Sequence, residues 1–183
     1  MTGTEDEHRQ HGRFTAIHEG FIAGDSDALA AALASPRWFN EELPDAFGGG
    51  HALVYAIYWS PPAFVAWMIE TGADVNFVAD DGFPALLAAL SRGRPPRHEV
   101  LAVLLAHGAD VNARGINDWT ALHHAVSLRD GVAIRALLAA GADPQLKTRI
   151  DQYSTALEDA RAIGFIEGVE LLQAAKGKGD HGV

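Results

Sequence analysis

The chain contains no cysteine, which excludes disulfide bonds and thiolate metal sites. It also has no apolar run close to the roughly 18–20 residues that a membrane-spanning helix needs. Its opening segment, MTGTEDEHRQHGR, is polar and acidic and has no apolar core of the kind found in secretory signals. Together these absences predict a cytoplasmic protein that does not span a membrane.

Basic residues are scarce, with 14 lysines and arginines against 24 aspartates and glutamates and a formal charge of −10. Proteins that bind nucleic acid or anionic membrane surfaces need clustered positive charge, so both classes are disfavoured. The acidity favours a partner protein with a basic patch, which long-range attraction would steer. The alternative explanation of the acidity is that it only keeps the protein soluble. The hydrophobic content of 48% is typical of a folded chain with a substantial core.

A short phrase recurs along the chain. GADVN occurs at Gly72–Asn76 and again at Gly108–Asn112, and GADPQ follows at Gly141–Gln145. The glycines are 36 and 33 residues apart, and an apolar helical stretch precedes each of them. Because glycine adopts a left-handed backbone at little cost, each glycine is predicted to end a helix before a polar turn.

A second landmark recurs in step with the first. It reads TAIHEG from Thr15, HALVYA from His51, PALLAA from Pro84, TALHHA from Thr120 and TALEDA from Thr155, with spacings of 36, 33, 36 and 35. These residues, with the GADVN close, resemble the ankyrin-repeat family, whose signature pairs T-P-L-H-x-A with GAD-x-N. We number the repeats one to five in the order of these landmarks. The first and the last repeat are atypical.

The resemblance implies an all-α solenoid of stacked helix pairs with projecting turns over residues 13–175. Residues 1–12 and 176–183 are polar and aperiodic, which predicts disordered tails. Each repeat buries its apolar face only against its neighbours. One buried row is therefore predicted to contain Leu53, Leu86, Leu122 and Leu157, and a second Val65, Leu101 and Ile134.

The landmark residues also predict local contacts. Thr15, Thr120 and Thr155 are placed to cap the first helices of their repeats, whereas Pro84 has no side chain that could do so. In the family, the signature histidine hydrogen-bonds a neighbouring turn, and His123 falls on that position.

Ankyrin-repeat proteins generally hold partners with the projecting turns and the exposed positions of the first helices. Phe83 and Trp119 share one repeat position there, and exposed aromatics are typical binding anchors. The alternative is that these aromatics pack across adjacent turns and stiffen the stack. Carried onto this sequence, the resemblance selects as partner-binding residues Phe47, Tyr58, Trp59, Asp80, Asp81, Phe83, Arg92, Ile116, Asn117, Trp119, Leu128 and Tyr153.

The predicted turns carry a charge gradient. The early turns are acidic, the third sets Arg114 against Asp118, and the last carries Lys147 and Arg149. A basic patch of the partner is therefore expected over the acidic N-terminal turns, with scattered solvated charge as the alternative. The acidic residues are Glu41, Glu42, Asp45, Asp80 and Asp81.

Signatures of catalysis are missing from the sequence. There is no G-x-S-x-G, phosphate-binding loop or dinucleotide fingerprint, and the histidines lack the neighbours of a metal ligand set. We therefore expect no cofactor, no metal and no enzymatic activity. The predicted function is a monomeric protein-binding module, of the inhibitor or immunity type for a basic effector. The alternatives are an adaptor or scaffold with several partners, and a ligand-binding or catalytic solenoid.

Overall fold

The computed structural model describes residues 15–34, 43, 51–77, 83–93, 95–149 and 153–179, with side chains of the last helix described as far as 175. Its contacts divide the chain into two compact units, Met1–Val75 and Asn76–Val183. Apart from isolated bridge residues at His51, Lys147 and Thr155, the described residues form helices and turns without strands. The all-α prediction is confirmed for this part of the chain.

The first unit contains α1 over residues 15–23, α2 at Ser26–Leu33, α3 at Ala52–Trp59 and α4 at Pro62–Glu70. Within it, α3 packs against α4. Thr15 is already helical, so it does not occupy the position before α1 where a capping residue would stand. His51 caps α3 instead of the usual threonine, since its Nδ1 accepts a hydrogen bond from the Leu53 backbone N–H at 3.4 Å.

The second unit contains α5 at Ala85–Ser91, α6 at Arg97–Ala106, α7 at Ala121–Ser127, α8 at Gly131–Ala139, α9 at Ala156–Ala162 and α10 at Ile166–Gly179. A short 3-10 turn, Ile116–Asp118, precedes α7. Helices pair within each repeat as α5 with α6, α7 with α8 and α9 with α10. Between repeats, each first helix packs against the next, in the order α5, α7, α9. The second helices do the same, in the order α6, α8, α10. These contacts are those of stacked helix pairs.

In repeats two to four, the second helix ends two residues before the predicted glycine. Gly72, Gly108 and Gly141 have φ of 116°, 82° and 93°, the left-handed region that side chains disfavour. Thr120 and Thr155 both form capping boxes with the side chain three residues later, as expected. Pro84 makes no side-chain cap, as its ring dictates.

The GADVN asparagines join successive turns. Asn76 donates from Nδ2 to the Gly108 carbonyl at 3.1 Å and accepts the Asp110 N–H at 2.7 Å. Asn112 repeats the arrangement with the Gly141 carbonyl at 3.4 Å and the Asp143 N–H at 2.8 Å. A side chain with both a donor and an acceptor therefore satisfies backbone groups at two turns.

The core rows are confirmed except at one position. Leu53, Leu86 and Leu122 are at most 2% exposed, and the second-helix row of Val65, Leu101 and Ile134 is at most 1% exposed. Leu157 is only half-buried, so its prediction is wrong. It lies in the last repeat, beyond which no further described helix pair packs.

The C-terminal helix extends past the expected end of the repeats. α10 continues to Gly179, whereas the repeat domain was expected to end at residue 175. The remainder of that predicted tail, 180–183, and the predicted tail at 1–12 lie outside the described residues. None of the described helices is both long enough and apolar enough to cross a bilayer.

Candidate partner-binding surface

The turn that precedes α7 is held in a fixed shape. The Gly115 N–H donates to the Trp119 carbonyl at 2.7 Å, and Asn117 and Asp118 have φ of 62° and 60°. The Arg149 N–H donates to the Asn117 carbonyl at 2.9 Å, which joins this turn to the turn of repeat five. Ile116 projects from the turn and is 58% exposed.

Charges around this turn are paired. The Asp118 carboxylate lies 3.6 Å from the Arg114 guanidinium and 3.8 Å from that of Arg149. The expected opposition of Arg114 and Asp118 is confirmed, and Arg149 joins the same group. Exposed ion pairs of this kind contribute little stability, and two arginines against one aspartate leave this group with one net positive charge.

Trp119 stands between two histidine rings. Its ring centroid lies 6.3 Å from that of His123 and 6.2 Å from that of His124, and its side chain is half-buried. His124 in turn is joined to Ser91 of α5 by a hydrogen bond of 2.9 Å between Nε2 and Oγ. Trp119 therefore packs against its own repeat and still presents part of its ring to solvent.

Two aliphatic side chains follow the first helices of repeats four and five. Leu128, after α7, is 40% exposed and Ile163, after α9, is 38% exposed. The Arg129 guanidinium donates a hydrogen bond to the Ile163 carbonyl, which joins these two helix ends. Tyr153, before α9, is 66% exposed. We name Ile116, Trp119, Leu128, Tyr153 and Ile163 the unit-two surface.

A cleft of about 240 Å³ opens beside Trp119. It lies between repeats four and five and combines aromatic, aliphatic, hydroxyl and carboxylate groups. Its lining residues are Trp119, His123, Val126, Ser127, Thr148, Ser154, Asp159, Ala162 and Ile163.

His123 forms the inter-repeat contact that its position predicts. Its Nε2 lies 3.2 Å from the Ser154 carbonyl, and its Nδ1 lies 2.9 Å from Thr120 Oγ1. Burial lowers the pKa of His123 below its usual value, against the smaller opposing effects of the Ser154 carbonyl and of Asp159. Burial, followed by the charge of Arg97, lowers the pKa of His124. The cleft therefore faces neutral imidazole at neutral pH.

A second aromatic group lies in the first unit. Trp59 is 39% exposed and its ring meets His18 edge-on at a centroid distance of 4.9 Å. The His18 Nδ1 and the Tyr55 hydroxyl are hydrogen-bonded at 2.6 Å, and burial raises the pKa of Tyr55. His18 thus bonds a side chain of the next repeat.

A family model of ankyrin repeats, in three copies, matches residues 53–148, which is more than half of the chain. The chain belongs to the ankyrin-repeat family. An ankyrin repeat-containing protein of Treponema pallidum is 34% identical over 140 residues, which is 75% of this chain and 46% of that protein.

Other relatives are longer proteins, of which this chain matches a small part. The human mitochondrial disaggregase is 39% identical over 78 residues, 43% of this chain and 11% of that protein. An intracellular phospholipase A2 of Caenorhabditis elegans is 29% identical over 143 residues, 68% of this chain and 13% of that protein. The chain spans less than half the length of each of these relatives.

Apart from Arg92, the predicted binding residues of this ankyrin-repeat protein fall into three classes. Trp59, Ile116, Leu128 and Tyr153 are exposed. Half-buried positions are held by Tyr58, Phe83, Asn117 and Trp119. Phe47, Asp80 and Asp81 lie outside the described residues, as do the acidic turn residues Glu41, Glu42 and Asp45.

The prediction for Arg92 is wrong, because its side chain is buried and only 3% exposed. Arg92 shares its repeat position with Trp59, Leu128 and Ile163, which are exposed. In repeat three, however, extra residues follow this position, and Arg92 lines a cleft of about 370 Å³ with Gly93 and the segment 95–99. In repeat three, therefore, a position that is exposed in repeats two, four and five is buried.

Sequence reasoning missed Ile163, Asp159 and Thr148. For Ile163 a signal existed, because it stands eight residues after Thr155 as Leu128 stands eight after Thr120. Asp159 and Thr148 reach the cleft only through the fold, since α9 and the turn before it meet there. No cluster of residues suited to a metal ion occurs among those described.

The neutral state of His123 predicts that stability depends on pH. A histidine whose pKa is lower in the folded chain stabilises the fold above its unfolded pKa, and this contribution is lost as the pH falls. We expect the urea midpoint to be lower near pH 5.5 than near pH 7.5, because the unfolded histidine titrates near 6.5. His123→Gln, which can still donate to the Ser154 carbonyl, should reduce this difference. An equal drop in both proteins would contradict the assignment.

Proposed function

We propose that the chain binds a partner protein on the unit-two surface, with Trp119 at its centre. Ankyrin repeats are generally protein–protein interaction modules, and this surface lies on the turns and first-helix ends. The observation that carries the proposal is the set of exposed apolar side chains on the turns and first-helix ends of repeats four and five, together with the cleft that Trp119 and Ile163 line. Scattered exposed aliphatic residues need no explanation, but an aromatic residue grouped with several of them is typical of a binding site.

The unit-two surface is ordered by hydrogen bonds between its turns and helix ends, and this order supports the proposed function. The turn of repeat four is bonded to the turn of repeat five through Arg149 and Asn117, and Arg129 joins the two helix ends through the Ile163 carbonyl. A surface already ordered in the free protein loses less conformational entropy on binding. A standard interface buries about 800 Å² on each partner, which a surface reaching from the turns to the helix ends can supply.

The partner that charge favours is basic. With a formal charge of −10, the chain attracts positively charged proteins at long range. The proposed role is therefore that of a cytoplasmic, monomeric, non-enzymatic inhibitor or immunity-type protein that covers a basic effector. One relative is named as a phospholipase, but this chain spans only 13% of it, so an activity of that whole protein is no argument for activity here.

An adaptor role is the second candidate. The aromatic group around Trp59 in the first unit offers another exposed anchor besides the unit-two surface. Two separate anchors would allow two partners to bind, whereas an inhibitor of a single effector needs one continuous interface. The stoichiometry of the isolated complex distinguishes the two roles, because an adaptor forms a ternary complex and an inhibitor a binary one.

Site-specific photo-crosslinking in the source cells tests the proposal. A photoreactive phenylalanine at Leu128 should yield a discrete adduct with a partner protein. The same residue at Val132, which is 53% exposed on the second helix α8, is the matched control and should yield none. Trp119→Ala should abolish the Leu128 adduct. Equal adducts from both positions, or an adduct that persists without Trp119, would place binding elsewhere.

A further inference from the structure

The cleft beside Trp119 contains a buried hydroxyl that is left without a partner. Thr148 is 3% exposed, and its Oγ1 makes no hydrogen bond within the described part of the chain. A buried polar atom without a partner destabilises the fold, so such atoms are rare and call for an explanation. The wall of a cleft is a place where a ligand can supply the missing bond.

The same cleft contains a carboxylate that has no counter-ion among the described residues. Asp159 is half-buried and makes neither a hydrogen bond through its side chain nor an ion pair with a described residue. The basic residue that acts on neighbouring His123 is Arg114, which is paired with Asp118. Asp159 is therefore available to a cation that enters the cleft.

The remaining walls suit a flat cationic group. Trp119 supplies an indole face, on which a guanidinium stacks more favourably than on other aromatic rings. Both ring nitrogens of His123 are already used by Thr120 and Ser154, and its low pKa keeps it uncharged, so it does not repel a cation. Val126 and Ile163 offer apolar contact for an aliphatic stem.

We propose that this cleft receives an arginine side chain of the partner protein, with the guanidinium against Trp119 and bonded to Asp159 and Thr148 Oγ1. The proposal rests on the protein-binding function and names the chemistry that the unit-two surface recognises. Arginine fits better than lysine because its planar group donates several hydrogen bonds at once and is more weakly hydrated. In this proposal, Asp159 is a specific contact through which the negatively charged chain binds a basic partner.

A peptide titration followed by NMR tests the proposal without the natural partner. The probe is acetyl-Gly-Arg-Gly-amide added to the full-length, ¹⁵N-labelled chain, and the controls are the citrulline and lysine counterparts. We expect saturable shifts of the Trp119 indole signal with the arginine peptide, and binding at least about tenfold weaker with citrulline, which lacks the charge. Citrulline or lysine peptides that bind as well as the arginine peptide would overturn the proposal.

Variants separate a binding role from a structural one. Asp159→Asn should abolish the shifts and leave the remainder of the spectrum unchanged, whereas Glu170→Gln, an equal loss of charge at an exposed site on α10, should leave binding intact. Thr148→Val should weaken arginine binding several-fold without lowering the urea midpoint. An unchanged affinity in Asp159→Asn would overturn the proposal. The Leu128 adduct would still report on protein binding, so the two failures are distinguishable.

Discussion

Asp130→Ala is expected to lower the free energy of unfolding by about 2–3 kcal/mol, because it removes a helix cap and an inter-repeat ion pair together. Asp130 is 7% exposed and accepts the Ala133 N–H at 3.0 Å at the start of α8. The same carboxylate lies 2.9 Å from the Arg97 guanidinium and 2.8 Å from His98 Nε2. One side chain of repeat four thus bonds the first turn of α6 in repeat three.

Chemical denaturation followed by circular dichroism measures the effect. The matched control is Asp25→Ala, at the same repeat position, since Asp25 caps α2 through the N–H groups of Asp27 and Ala28 but is exposed. Loss of an ordinary cap costs about 1 kcal/mol. A loss for Asp130→Ala no larger than that for Asp25→Ala would show that the contacts with repeat three add nothing.

Asp130→Asn separates the contribution of the helix cap to stability from that of the ion pair. The amide oxygen of asparagine can still accept the Ala133 N–H, while the charge that attracts Arg97 and His98 is gone. We expect a loss of about 1–2 kcal/mol, between the wild-type chain and the alanine variant. An asparagine variant as unstable as the alanine variant would assign the whole effect to the ion pair.

The same carboxylate predicts a loss of stability in acid. Burial tends to raise the pKa of Asp130, but the Ala133 N–H, His98 and Arg97 outweigh it and hold the pKa below its usual value. A carboxyl group with a lowered folded pKa stabilises the fold above its unfolded pKa, and this contribution is lost as the pH falls through the folded value. It therefore disappears at lower pH than the contribution of His123, whose unfolded pKa is near 6.5.

The repeated parts of the fold could be predicted because several weak signals coincide. Gly72, Gly108 and Gly141 recur together with the landmark that opens each first helix. The predicted helix ends and the predicted helix starts therefore support each other. The capping threonines and His123 followed the family pattern because the backbone around them is regular. Periodicity therefore determined the helix pairs and the core rows.

The errors arose where the chain departs from the repeat. Arg92 was placed on the surface by its repeat position, but its side chain is buried in a repeat that carries extra residues. Leu157 was placed in a buried row by the same rule, although among the described helices a neighbouring repeat packs on one side of it only. A repeat position predicts burial only when the loops and neighbours are also the standard ones.

Part of the candidate site could be predicted, because repeat position also indicates which side chains are exposed. Ile116, Leu128 and Tyr153 were correctly placed in exposed positions. The cleft beside Trp119 could not be predicted, because Thr148 and Asp159 come from a turn and a helix whose approach depends on packing. The hydrogen bond of Asp130 with His98 is of the same kind, since no local pattern connects residues 32 positions apart.

Leu122→Ala is expected to lower the free energy of unfolding by about 3–4 kcal/mol, whereas Leu157→Ala should cost about 1 kcal/mol. The two leucines have the same repeat position and lose the same atoms. Leu122 on α7 is 1% exposed, so truncation leaves a cavity between flanking repeats. Leu157 on α9 is half-buried, and water can fill the space its side chain leaves.

Urea unfolding of both variants, with fluorescence and circular dichroism recorded together, provides the measurement. In a stack where each repeat contacts only its neighbours, the cost of one truncation depends on how many neighbours cover that position. The ratio of the two losses therefore measures how far packing on both sides, and not the chemistry of leucine itself, stabilises the repeats. Equal losses would mean that Leu157 is covered as fully as Leu122, and that the stack continues past the last described repeat.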